Sequence, residues 1–106
     1  MAADSIDIVL VEDNPDDANL AIRALRKNGI NHSLMHLKDG EEALDFIFCR
    51  GNYSDRVFEL PRLILLDLKM PKVDGFEVLK QVKSDARTSL IPVVLLTSSN
   101  QDQLPH

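Results

Sequence analysis

Four short apolar runs punctuate this chain, and between them lie stretches of helical periodicity or polar loop. That alternation constrains the fold more than any other feature. Ile6, Ile8, Val9, Leu10 and Val11 form the first run, rich in β-branched side chains and apolar on both faces, as buried parallel strands are. A weaker run covers residues 33–37. The third is Leu63-Ile64-Leu65-Leu66, ending at Asp67, and the fourth, after Pro92, is Val93-Val94-Leu95-Leu96, ending at Thr97.

The intervening stretches carry helix punctuation. Asn14 can cap a helix, Pro15 suits its first position, and Asp16 and Asp17 follow where the helix dipole favours acids. Leu20, Ala21, Ala24 and Leu25 share a face, Arg23, Arg26 and Lys27 come late, and Gly29 is a stop. Asp39 opens a second helix, with Glu42 at capping-box spacing and a stripe of Ala43, Leu44, Ile47 and Phe48. Residues 49–62, with Gly51, Asn52 and Pro61, read as an extended loop. Residues 70–75 read as a turn, and 76–84 as a helix facing inward through Phe76, Leu79 and either Val82 or Val78. The order β-α-β-α-β-α-β predicts an α/β fold with a doubly wound parallel sheet and right-handed crossovers. Ligands in such sheets bind at the carboxyl ends of the strands.

Composition narrows the classes. A chain of 106 residues is one domain, spanning 1–106, long enough to bury a core without disulfides. No apolar run approaches a membrane span, and residues 1–10 lack the basic region of a signal peptide. The single cysteine, Cys49, excludes a disulfide framework and points to a reducing, cytoplasmic compartment. Twelve Lys and Arg against seventeen Asp and Glu give a net charge of −5, which argues against nucleic-acid binding.

Chemistry gathers at the carboxyl edge. The first strand ends in Glu12-Asp13, the third in Asp67 and the fourth in Thr97-Ser98-Ser99. If the first and third strands are neighbours, three carboxylates converge, and their mutual repulsion is offset by a hard divalent cation. Mg²⁺ suits such a set because it binds through one or two carboxylates and leaves places for phosphate oxygens. Any one of these acids alone is explained by the preference of turns for Asp; it is their joint placement at two strand ends that argues for a metal.

Val9-Leu10-Val11-Glu12-Asp13-Asn14, Leu65-Leu66-Asp67-Leu68-Lys69-Met70-Pro71 with Asp74-Gly75, and Pro92-Val93-Val94-Leu95-Leu96-Thr97-Ser98 together resemble the receiver domains of two-component response regulators. Asp39-Gly40-Glu41-Glu42-Ala43-Leu44 resembles that family's second-helix start. The long loop after Phe48, with Pro61-Arg62 before the third strand, is similar to single-domain receivers that serve bacterial phytochrome histidine kinases. The resemblance implies a flavodoxin-like fold with strand order 2-1-3-4. It implies a phosphorelay receiver, a signalling phosphoacceptor rather than an enzyme, dependent on Mg²⁺ and served by a histidine kinase. Asp67 would be the phosphoacceptor, Asp13 a direct metal ligand and Glu12 an acid acting through a metal-bound water. Lys69 would offer its backbone carbonyl to the metal, and Thr97 its hydroxyl to a phosphoryl oxygen. Met70-Pro71 would stiffen the loop behind the nucleophile, and Gly75 would permit a tight turn into the third helix.

The resemblance also exposes a gap. The family continues with a fourth helix, a fifth strand bearing a lysine and an aromatic residue, and a last helix, none of which these 106 residues contain. The expectation is an incomplete receiver whose fourth strand is an uncovered apolar edge, inviting a dimer or strand-exchanged assembly. A truncated pseudo-receiver that docks without phosphorylation is the alternative. A haloacid-dehalogenase-type phosphatase is disfavoured because it needs an acid two residues after its nucleophile, where this chain has Lys69. Cys49 reads as a buried or inert thiol. His32, His36 and His106 have no ligand spacing and carry no expected chemistry.

Overall fold

The computed structural model describes residues 6–68 and 75–96. The apolar runs form four parallel strands, β1 (Ile8–Val11), β2 (Leu34–Leu37), β3 (Leu63–Asp67) and β4 (Val93–Leu96), in the order β2-β1-β3-β4. Helices α1 (Pro15–Lys27), α2 (Gly40–Ile47) and α3 (Gly75–Ser84) alternate with them. This is the doubly wound α/β arrangement of flavodoxin-like folds.

The register explains why the central strands are apolar on both faces. Ile8 and Leu10 lie beside Leu63 and Leu65, and Val9 and Val11 beside Ile64 and Leu66. Successive side chains point to opposite faces of a strand, so the two sets divide into two cores. Val9, Val11, Ile64 and Leu66 meet Ala43, Leu44, Phe46 and Ile47 of α2 and Val78 and Val82 of α3. Ile8, Leu10 and Leu65 meet Ala18 of α1, with Ala21, Ile22 and Leu25 packed alongside. One helix therefore covers one face and two helices the other. Each fully buried aliphatic side chain of β1 or β3 contributes roughly 1.5–3 kcal/mol.

Two helix faces depart from the sequence reading. In α1 the inward stripe is Ala18, Ala21, Ile22 and Leu25, while Ala24 is exposed and Leu20 is 61% exposed. Small Ala18, only 1% exposed, is what lets α1 approach β1 and β3 closely. In α3 the inward residues are Val78 and Val82 with Leu79 beside them, and Phe76 is 62% exposed. The face of a helix that turns inward depends on where its first turn docks, which periodicity alone does not fix.

Caps act as expected, with one variation. Asn14 Oδ1 accepts from the backbone N–H groups of Asp16 (2.8 Å) and Asp17 (3.1 Å). Asp39 Oδ1 accepts from Glu42 N–H at 2.8 Å, but the reciprocal bond to Glu42 Oε1 comes from Lys38 N–H (3.1 Å), one residue before the cap. Glu42 Oε2 also accepts from the Tyr53 hydroxyl at 2.8 Å. The long loop is accordingly less extended than its composition suggests. It opens with a 3₁₀ turn (Gly51–Tyr53), and Tyr53 stands edge-on to Phe46 with ring centroids 5.2 Å apart. Arg56 lies over the Phe46 ring at 3.9 Å and donates to Phe46 O (2.9 Å). After α3, buried Thr88 donates to Val82 O at 2.6 Å and Lys83 Nζ to Ile91 O at 2.7 Å, setting the entry into β4. Among the described residues β4 lies at the edge of the sheet with Val94 and Leu95 exposed, and no helix is long and apolar enough to cross a membrane.

Candidate functional site

Because β1 and β3 are neighbours in the register Val11↔Leu66, the residues that follow, Glu12 and Asp67, emerge together at the carboxyl edge. Glu12 is 4% exposed and Asp67 3%, while Asp13 faces solvent. One carboxylate oxygen from each of Glu12, Asp13 and Asp67 lies within 4.8 Å of the others. The three acids singled out from sequence are thus brought together. Lys69 and Thr97, the other expected site residues, lie outside the described residues, as do Met70, Pro71 and Asp74.

The buried carboxyl group at the end of β1 is held on several sides. Glu12 N–H donates to Leu37 O (2.9 Å), extending the β1–β2 ladder, and Asn14 N–H donates to Glu12 Oε2 (3.1 Å). His36 Nε2 sits 2.7 Å from Glu12 O, a hydrogen bond the ring makes as an Nε2–H donor. Burial pushes the Glu12 carboxyl from its ordinary 4.5 up to about 7. Donation from Asn14 opposes that rise, while a hydrogen bond to Asp67 and the charges of Asp67 and Asp17 add to it. At neutral pH Glu12 is therefore protonated part of the time, and its carboxyl O–H then donates to Asp67.

Gly75 has a role that its sequence context did not reveal, and the rest of the turn expected at 70–75 lies outside the described residues. A β-carbon there would lie 2.5 Å from Leu68 Cα and 3.0 Å from Asp67 C, and closer still to Asp67 O. Gly75 N–H donates to Leu68 O at 3.3 Å. The first turn of α3 is thus seated directly on the backbone that presents Asp67, an approach only glycine allows.

Sequence reasoning also missed His36. Its position in β2, opposite Leu10 and two residues short of Glu12, becomes meaningful only once β2 is known to pair with β1.

The donor set consists of hard oxygens. It fits a Mg²⁺- or Mn²⁺-type cation. Among the described residues no other group of His, Cys, Asp and Glu meets in this way.

Comparison with known proteins gives a consistent picture. The family model for the response regulator receiver domain matches residues 8–106. A probable methanogenesis regulatory protein, FilR2 of Methanothrix harundinacea, is 46% identical over 103 residues, covering 95% of this chain and 63% of the relative. Response regulator Rcp1 of a Synechocystis species is 42% identical over 95 residues, covering 90% of this chain and 63% of Rcp1. The chain thus spans less than two thirds of the length of these curated relatives. The solved bacteriophytochrome response regulator AtBRR superposes with a TM-score of 0.82 at 46% identity, covering 93% of this chain and 71% of that one. A Mn²⁺-bound form of Rcp1 superposes with a TM-score of 0.76 at 44% identity, covering 90% of this chain and 68% of that one.

Proposed function

The chain belongs to the response regulator receiver domain family, and from that premise we propose that it accepts a phosphoryl group on Asp67 from a histidine kinase, with Mg²⁺ bound beside the nucleophile. The observation that carries this reading is the meeting of Glu12, Asp13 and Asp67, with an oxygen of each within 4.8 Å of the others at one sheet edge. Similarity to bacteriophytochrome response regulators supports a phytochrome-type kinase as the donor and the cytoplasm as the compartment.

Asp13 and Asp67 would hold the cation directly, Glu12 through a water, and Lys69 through its backbone carbonyl. Bound there, the ion would neutralise the carboxylates and the incoming phosphoryl oxygens. An Asp67 carboxylate oxygen forms the new O–P bond as the P–N bond of a phosphohistidine breaks, and the leaving imidazole keeps the electron pair and takes up a proton. Thr97 would donate its hydroxyl to a phosphoryl oxygen. Burial of Asp67 among β1, β3 and the first turn of α3 restricts water around the acyl phosphate. Output passes through protein contacts, and the exposed edge of β4 is suited to one of them, a dimer or strand-exchanged assembly.

Intact-mass measurement after incubation with acetyl phosphate and Mg²⁺ tests the reading. The wild type should gain one phosphoryl group and Asp67→Asn none, with the gain abolished by chelation. Equal behaviour of the two proteins refutes the assignment. A wild type that gains nothing yet binds a kinase as well as Asp67→Asn does is a phosphorylation-independent docking module. For the assembly, a light-scattering mass that stays monomeric across a concentration series removes the edge-pairing proposal.

A further inference from the structure

At the opposite end of the molecule from Asp67, α2 and α3 finish side by side where the chain turns back toward the starts of β3 and β4. Between their ends lies a cleft of about 390 Å³ lined by Phe48, Arg50, Gln81, Ser84, Asp85 and Arg87, a size that suits a small molecule. The guanidinium groups of Arg50 and Arg87 both line it and both lie against the Phe48 ring. The Arg50 and Arg87 guanidinium carbons lie 5.3 Å and 5.5 Å from the centroid of the Phe48 ring, and Arg87 is also 4.7 Å from the ring of Phe58.

Only one of the two arginines has a counter-charge. Asp85 takes Arg87 Nε and Nη2 at 3.1 and 2.9 Å, and its Oδ1 also accepts Arg87 N–H at 2.8 Å. The Asp85 carboxylate is therefore committed to Arg87, whose Nη1 is left over. Arg50 has no ion pair among the described residues and is exposed. The Arg87–Asp85 pair is close to neutral, so the uncompensated positive charge beside the cleft is that of Arg50, and an anion is attracted to it. A guanidinium fork matches a planar carboxylate, and a phenyl wall matches an apolar body.

We infer that this cleft is a binding site for a small organic acid, a carboxylate carried on an apolar or aromatic body. Arg50 and the free edge of Arg87 hold the carboxylate, and Phe48 takes the body. Gln81 and Ser84, in the last turn of α3, line the polar side. The site shares no residue with the carboxylate cluster at the other edge, so it stands or falls independently of the phosphoacceptor reading.

A titration of the ¹⁵N-labelled protein with benzoate at constant ionic strength, followed by amide chemical shifts, tests it. Saturable shifts centred on residues 48–50 and 81–87 are expected, with the neutral isostere benzamide at least about five-fold weaker, the size of one charge-assisted hydrogen bond at a solvated site. Arg50→Gln should weaken benzoate by a similar factor. Arg50→Lys, which keeps charge and stem but loses the fork, should weaken it as well, and serves alone if the first variant does not fold. Shifts that do not saturate, that benzamide reproduces, that survive both substitutions unchanged, or that centre on the Glu12–Asp67 edge overturn the inference.

Discussion

Replacing Gly75 by alanine is the sharpest test of how the fold builds its acidic edge. Two effects oppose each other. Alanine favours a helix over glycine by up to about 1 kcal/mol, and less than that in a first turn. Against this, the new methyl group would lie 2.5 Å from Leu68 Cα and 3.0 Å from Asp67 C. Both neighbours are backbone, so neither can rotate away, and α3 must lift off β3. Overpacking of this kind costs about 1–3 kcal/mol, so the net change is a destabilisation of about 1–2 kcal/mol. Gly29→Ala is the control. Gly29 has a φ of 82° and nothing within 4 Å of a β-carbon, so alanine there pays only for its left-handed backbone, about 1 kcal/mol. Urea denaturation at fixed pH measures both variants. The distinguishing readout is phosphorylation by acetyl phosphate, which Gly75→Ala should slow by displacing Asp67 and Gly29→Ala should leave unchanged. A Gly75→Ala protein as stable and as reactive as the wild type would refute the close-approach argument.

Glu12 makes the metal-free protein sensitive to pH. Its folded pKa of about 7 lies above its ordinary 4.5, so the stability it lends is complete below the lower value and is lost as pH rises through the higher one. In chelator, wild type should lose about 2 kcal/mol relative to Glu12→Gln between about pH 5 and pH 8 in urea titrations; parallel curves would contradict the burial argument. The single tyrosine, Tyr53, is pushed up to about 12 by burial and its bond to Glu42, so its ultraviolet ionisation should lag free tyrosine. The stability it adds is complete below about pH 10 and disappears as pH climbs through about 12. Thr88→Val strands the buried Val82 carbonyl, which now accepts at 2.6 Å, and should cost about 1–3 kcal/mol in the same denaturation assay.

Much of this was legible in the residues. The strands at 8–11 and 63–66 are continuous apolar runs, because strands buried on both faces have no polar alternation to hide them, and 93–96 is an equally apolar run although Val94 and Leu95 are exposed. Asn14 and Asp39 announce the starts of α1 and α2 by side-chain bonds made within three residues. What could not be read was orientation and long-range contact. Leu20 and Phe76 fit an apolar stripe by spacing but face solvent, since a neighbouring stripe docks better against the sheet. His36 touches Glu12, twenty-four residues away, and Arg56 stacks on Phe46 from inside what looked like a featureless loop.

The order of elements and the identity of the acids that end β1 and β3 were determined by the sequence itself, because propensity, capping and hydrophobic period act over a few neighbouring residues. Only the tertiary structure decided that β1 lies next to β3, so that the Glu12 and Asp67 carboxyl groups meet, and that α3 rests on the Asp67 backbone through Gly75. Those contacts join segments more than fifty residues apart or seat a helix on the strand before it. They come from burying two faces of one sheet at once, a condition that no local stretch of the chain can satisfy alone.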